Sequence, residues 1–243
     1  MRYDDQGHGP PVFYLHGGGD SPSSRPAETY ESRVISLERC GPRVRGRSLV
    51  SHARDVIAVA DELGIERFGV IGWSAGGPHA LALAAEAPER VERVSLVASM
   101  PPHDLVELTS RSINSAVRVA RRSQWLATRG LERWGREATP QLPDPAHTDA
   151  YALGRIESFA DGGRWLAQEL AYLGRPWGFE LTDVRAPVAV WWGTRDAATP
   201  PQIAHEYIRR LPDATLKLVE DGHQILFSRW REILADATPQ TRP

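Results

Sequence analysis

Three observations predict an α/β fold, a mostly parallel doubly wound sheet with helices on both faces. Short apolar, β-rich runs alternate with longer stretches of helical periodicity along the chain. One of these runs passes through a glycine-rich turn straight into a helix of small residues. The length of 243 residues, 41% of them hydrophobic and 25% charged, suffices for a large core without disulfides or a structural metal.

Val12–Leu15 reads as a strand that enters the loop His16-Gly17-Gly18-Gly19, and Val34–Leu37 is a second short run. Leu49–Leu63 carries Val50, Ala53, Val56, Ile57 and Ala60 at helical spacing and stops at Gly64. Phe68–Ile71 is a strand, Pro78–Ala87 a helix and Val91–Ala98 a strand. Ala186–Trp192 is a strand of the buried type. Pro201–Leu211 is helical, Thr215–Val219 is a strand and Gln224–Ala235 a last helix, with a frayed tail from Ala237.

Between Ser99 and Val184 the alternation stops, and about 85 residues show helical patterns only. We expect residues 1–98 and 185–243 to form the core and 99–184 a helical insertion over the C-terminal edge of the sheet. Arg111, Arg118, Arg122, Arg129, Arg133 and Arg136 fall on one helical face, read as solvated.

The charge balance, 29 basic against 31 acidic residues with a net charge of -2, argues against a nucleic-acid partner. No apolar run approaches the roughly 18 residues of a membrane helix, and MRYDDQGHGP carries no apolar signal-peptide core. A cytoplasmic protein acting on a small molecule is expected, as a monomer or homodimer. Cys40 is the sole cysteine, which excludes an intrachain disulfide and a cysteine-based zinc site. Of the basic residues only Lys217 is a lysine, and its place in a strand-like run makes covalent lysine chemistry a poor candidate.

Gly72-Trp73-Ser74-Ala75-Gly76 fits G-x-S-x-G between a strand and a helix, where a sharp turn lifts a nucleophile above the sheet. A serine that merely caps the helix is the plainer alternative. A serine hydroxyl needs a base. Of the eight histidines, His223 follows the strand Thr215–Val219 and so returns to the same sheet edge. His8, His52, His147 and His205 fit loops or helix surfaces, His79 lies on the helix after Ser74, and His103 opens the insertion. Asp196, after the strand Ala186–Trp192, is the candidate to orient the imidazole, with Asp104 second. The glycines after His16 let backbone amides approach a developing oxyanion. Gly18, with Gly17 in reserve, and Ala75 are the expected donors, and His16 is expected to buttress the loop.

With HGGG, GWSAGG, GTRD and EDGH in this order, the sequence resembles the α/β-hydrolase fold superfamily over nearly its whole length, in particular its small cofactor-free serine members. The resemblance implies Ser74 as nucleophile, His223 as base, Asp196 as orienting acid, no cofactor or metal, and 99–184 as a cap. Three departures stand out. Only about ten residues precede the HG loop, which predicts an antiparallel N-terminal edge that is short or missing, leaving about six strands and at most a fragment of a further one. The usual D-x-x-G-x-G-x-S turn is replaced over residues 38–48, beside the pocket. Ala75 is smaller than the Met or Leu common there.

The expected reaction is hydrolysis of an ester, thioester or lactone through an acyl-enzyme. C–C bond hydrolysis, lyase, haloperoxidase or acyl-transfer chemistry, and a catalytically silent binding protein, are the alternatives. Four of the eight tryptophans, Trp125, Trp134, Trp165 and Trp177, fall in the insertion, mainly as packing anchors. Gly17, Trp73 and Trp177 are the expected substrate contacts, for a bulky or aromatic molecule.

Overall fold

The computed structural model describes residues 2–39, 46–135 and 141–240. Cys40, the centre of the altered 38–48 loop and Arg136 lie outside those residues. Seven strands form one sheet: β1 (Tyr3–Gly7), β2 (Pro11–Leu15), β3 (Arg33–Leu37), β4 (Phe68–Trp73), β5 (Val91–Val97), β6 (Val188–Gly193) and β7 (Ala214–Val219). Their order is β1-β3-β2-β4-β5-β6-β7, all parallel except β1, which pairs antiparallel with β3 from Tyr3↔Leu37 to Gly7↔Arg33. The expected shortened N-terminal edge is this β1, a complete five-residue strand that brings the expected six or so to seven. The ten residues before the HG loop still hold a five-residue edge strand, legible only through its partner because its side chains are largely exposed.

Strand β4 is central and buried at all six positions. Its side chains alternate: Phe68 and Val70 enter one apolar cluster, Ile71 and Trp73 the other. Phe13 and Leu15 of β2 divide from Val12 and Tyr14 in the same way. Two helical layers cover the two faces. On the first lie α1 (Leu49–Glu62) and α2 (Gly76–Glu86), with α7 (Gln202–Arg210); on the second lie α8 (Ile225–Ser228) and α9 (Trp230–Ala237).

Helix α1 starts at Ser48, whose hydroxyl accepts from the Ser51 amide while Ser51 returns a bond to the Ser48 amide. It ends before Gly64. Two expectations at the C-terminus are corrected. The last helix breaks into α8 and α9 at Arg229. The segment from Ala237 is not frayed where described: Ala237 is fully buried, and Thr238 bonds the Ser32 hydroxyl at 2.8 Å.

Between β5 and β6 stand α3 (Arg111–Arg122), α4 (Gln124–Gly135), α5 (Pro145–Ser158) and α6 (Arg164–Leu173), with no strand among the described residues. The arginine stripe is split by a break at Ser123, yet Arg111, Arg118, Arg122, Arg129 and Arg133 are all exposed. Val117, Ala120, Leu131 and Leu166 of this region join the same apolar cluster as Phe13 and Val70. Among the described residues no helix is long and apolar enough to cross a membrane.

Candidate active site

Parallel register brings the strand ends together. Leu15 pairs with Gly72, Trp73 with Val97 and Val97 with Trp191, so the loops after β2, β4, β5 and β6 leave one edge side by side. Ser74 follows β4 with φ of +52°, a left-handed conformation that an L-residue adopts only when its surroundings enforce it. Here the Ser74 amide donates to the Val97 carbonyl at 2.9 Å, and its carbonyl accepts from Gly77 at 3.0 Å and Met100 at 2.9 Å. The turn is tight enough that a Cβ on Gly76 would stand 2.0 Å from the Leu15 carbonyl oxygen. This explains the sequence GWSAGG better than helix capping does: the N-cap of α2 is Ala75, and no side chain caps the helix.

The hydroxyl of Ser74 lies 3.0 Å from His223 Nε2, and His223 Nδ1 lies 2.8 Å from Asp196 Oδ2. A carboxylate only accepts, so the proton sits on Nδ1 and leaves Nε2 free to take the serine proton. The loop carrying His223 is fixed by Trp73, whose indole N–H donates to the His223 carbonyl at 3.1 Å.

Asp196 has a fully buried side chain. Burial pushes its pKa up, but donation from His223, its partial positive charge, and bonds from the Thr199 amide and hydroxyl outweigh that, and the net direction is down. The amides of Ala198 and Thr199 both reach Asp196 Oδ1, at 2.8 and 2.9 Å, and the Thr199 hydroxyl reaches Oδ2 at 2.9 Å. Sequence reasoning missed Thr199, although an Asp with Thr three residues on is a recognisable turn pattern. Asp104, the second candidate acid, is on the surface and paired with Arg210 at 2.9 Å.

Gly18 and Ala75 lie together at the mouth of the elbow, where a Cβ on Gly18 would be 3.2 Å from that of Ala75. Neither amide donates to an acceptor among the described residues. Both border a cavity of about 700 Å³ that also contains Ser74, His223 and Trp73. Its walls come largely from the insertion, with Ile113, Val119, Leu131, Trp134 and Leu170 beside the polar Arg155.

Two of the expected substrate contacts do not line this cavity. Trp177 is buried away from this cavity, its indole donating to the Leu173 carbonyl at 3.1 Å and its ring stacked on Phe179. Gly17 lies behind the cavity wall, against Asp20 and the Trp73 ring. The tryptophan of the insertion that does face the cavity is Trp134, whereas Trp125 is 62% exposed beneath Arg129.

Behind the loop lies a polar cluster that sequence reasoning did not assemble. Arg39, Glu169, His79 and His52 come from four separate stretches of chain, and no local spacing links them. Arg39 Nε donates to Glu169 Oε1 at 2.8 Å, His79 Nε2 meets the same oxygen at 3.1 Å, and His52 Nδ1 lies 3.1 Å from His79 Nδ1. Burial first, then the charge of nearby Arg39, holds His16 well below the usual imidazole range, and burial does the same for His52 and His79. Asp20, also buried, has its carboxyl raised by burial to about 7, with Arg155 the strongest opposing charge.

The comparisons with known proteins agree with this architecture. A family model described as the alpha/beta hydrolase fold matches residues 10–122. The chain is 31% identical over 221 residues to the pimeloyl-[acyl-carrier protein] methyl ester esterase of Chromobacterium violaceum, with 86% of this chain and 85% of that one covered. It is 30% identical over 234 residues to the dihydrolipoyllysine-residue acetyltransferase component of the acetoin cleaving system of Pseudomonas putida, and spans only 59% of that relative's length. Among solved structures, an esterase from Exiguobacterium antarcticum superposes with a TM-score of 0.71 over 96% of this chain and 92% of that one, at 16% identity, a likeness of fold. With the sheet order, the elbow at Ser74 and these relatives in hand, the chain belongs to the α/β-hydrolase family.

Proposed function

We propose that the protein is a serine hydrolase that cleaves an ester, thioester or lactone of a small, bulky or aromatic molecule, with residues 99–184 as its cap. The carrying observation is the continuous hydrogen-bonded chain from Asp196 through His223 to Ser74, ending in a cavity of about 700 Å³. In this reading His223 Nε2 removes the Ser74 proton as Oγ attacks the carbonyl carbon, and Asp196 stabilises the imidazolium without accepting its proton. The tetrahedral oxyanion is met by the amides of Gly18 and Ala75, which have no acceptor of their own among the described residues. His223 then gives its proton to the leaving group. It next draws a proton from water as that water attacks the acyl-enzyme, and returns the proton to Ser74 Oγ as the acid is released. The apolar cavity wall of Ile113, Val119, Leu131, Leu166 and Leu170 suits a bulky acyl or alkyl group. The methyl ester esterase of Chromobacterium violaceum supports the ester class.

A fluorophosphonate probe and a panel of aryl, alkyl and lactone esters test the proposal. The wild type should be labelled on Ser74 and turn over at least one ester class. Ser74→Ala should lose labelling and reduce kcat by about 10⁴-fold or more. A wild type that is neither labelled nor active on the panel overturns the reading, as does turnover that survives Ser74→Ala.

A further inference from the structure

Arg39 follows β3 and lies behind the His16–Gly19 loop, with its side chain only 3% exposed. Its guanidinium faces two consecutive carbonyls of that loop. Nη1 donates to His16 O and Nη2 to Gly17 O, the latter at 3.0 Å. His16 Nδ1 donates to the same Gly17 oxygen at 2.9 Å, so this carbonyl has two donors. The third guanidinium edge is held by Glu169 of α6, whose Oε1 also receives His79 of α2. One carboxylate thereby ties together the loop, the helix that follows Ser74, and the insertion.

Geometry gives the consequence. In a trans peptide the C=O and the following N–H point in opposite directions, and no peptide bond among the described residues is cis. The Gly17 carbonyl is drawn back toward Arg39 and His16, so the Gly18 amide of the same peptide points away from them. Gly18 borders the cavity beside Ala75, and its amide has no acceptor among the described residues. We infer that Arg39 is a positioning residue for the reaction: gripped by Glu169, it fixes the His16–Gly18 backbone so that the Gly18 amide faces the developing oxyanion. This deepens the esterase reading and rests on it.

The positive charge also polarises the Gly17–Gly18 peptide, strengthening its N–H as a donor. A buried ion pair contributes little to net stability compared with an apolar replacement. The fork geometry of arginine, in contrast, is suited to holding two carbonyls and a carboxylate in one plane. The contact should matter more in the transition state than in the substrate complex, because the oxygen is fully charged only there.

The test uses Arg39→Met and Arg39→Lys in the full chain, with folding checked by circular dichroism and thermal melting. Steady-state kinetics on the best ester of the panel is read beside the affinities of two ligands. A trifluoromethyl ketone forms a charged hemiketal on Ser74, and the matching methyl ketone occupies the pocket without that charge. Arg39→Met should lower kcat about 100-fold with KM within about threefold, the size expected for losing one oxyanion donor. Trifluoromethyl ketone affinity should fall in parallel while methyl ketone affinity stays constant. Arg39→Lys should lose about tenfold. A folded variant with kcat and both affinities within about threefold of wild type overturns the inference, as does a fall in both ligand affinities alike, the mark of a structural role.

Should neither variant fold, the wild type decides by ¹⁵N-glycine NMR. The Gly18 amide proton should move downfield on hemiketal formation, and an unmoved resonance overturns the inference. Wild-type turnover is established first, so failure of the esterase reading and failure of the Arg39 inference are separate results.

Discussion

Asp20 shows how a single side chain can record the tension in a site. It borders both the main cavity and the small cleft behind the glycine loop, and its Oδ1 has no hydrogen-bond partner among the described residues. Burial raises its carboxyl to about 7, against the opposing charges of Arg155, Arg39 and His223 and with the help of Glu169. A raised carboxyl means that, from about pH 4 to about pH 7, the folded chain keeps a proton the unfolded chain has released. Stability from this group therefore falls as pH rises through that window and is level above it. Asp20→Asn removes the effect. Urea unfolding should show the Asn variant gaining on wild type between pH 4 and pH 8 by on the order of 2–4 kcal/mol. A stability difference that does not change with pH would contradict the assignment. Asp196, held down by its donors, has the opposite slope at lower pH, but it is common to both chains and cancels in the difference.

Among elements, the contrast between α2 and α4 is instructive because both contain glycines in helical positions. Gly76 opens α2 beneath the loop after β2, where an added methyl would meet the Leu15 carbonyl carbon at 2.7 Å and its oxygen nearer still. A backbone carbonyl paired into the sheet cannot retreat as a side-chain tip can. Gly130, in α4, has nothing within 4 Å of the same position. Gly76→Ala should therefore destabilise by about 2 kcal/mol or more. Gly130→Ala should stabilise by roughly 0.5–1 kcal/mol, since alanine is the better helix former and nothing obstructs it. Chemical denaturation of the two variants checks both, and the same sign for the two would refute the packing argument. The apolar periodicity of α1 and the buried run of β4 could be read from sequence because each buries one regular face. Strand β1 could not, since its exposed side chains carry no pattern and only pairing with β3 makes it a strand.

In the whole molecule the insertion and the sheet share an apolar cluster, with Val117 and Leu131 in the company of Phe13 and Val70. Arg39 and Glu169 add a buried polar link between them. Among the described residues the insertion has no apolar cluster of its own. Urea unfolding followed by tryptophan fluorescence and by far-ultraviolet dichroism should accordingly trace one coincident transition. Two separated transitions would show that residues 99–184 unfold on their own.

The sequence by itself determined the parallel α/β plan, the turn at Ser74 and the residues Asp196 and His223, because each follows a recognisable apolar run whose end the sheet must place at one edge. It also located Gly18 and Ala75 at that edge. What it could not supply was every relation among side chains from unrelated stretches. Arg39 behind the glycine loop and Trp134 in place of Trp177 on the cavity wall were decided only by tertiary structure. The physical reason is that periodicity encodes which face of an element is buried, whereas the neighbour across that face is set by the packing of elements distant in the chain.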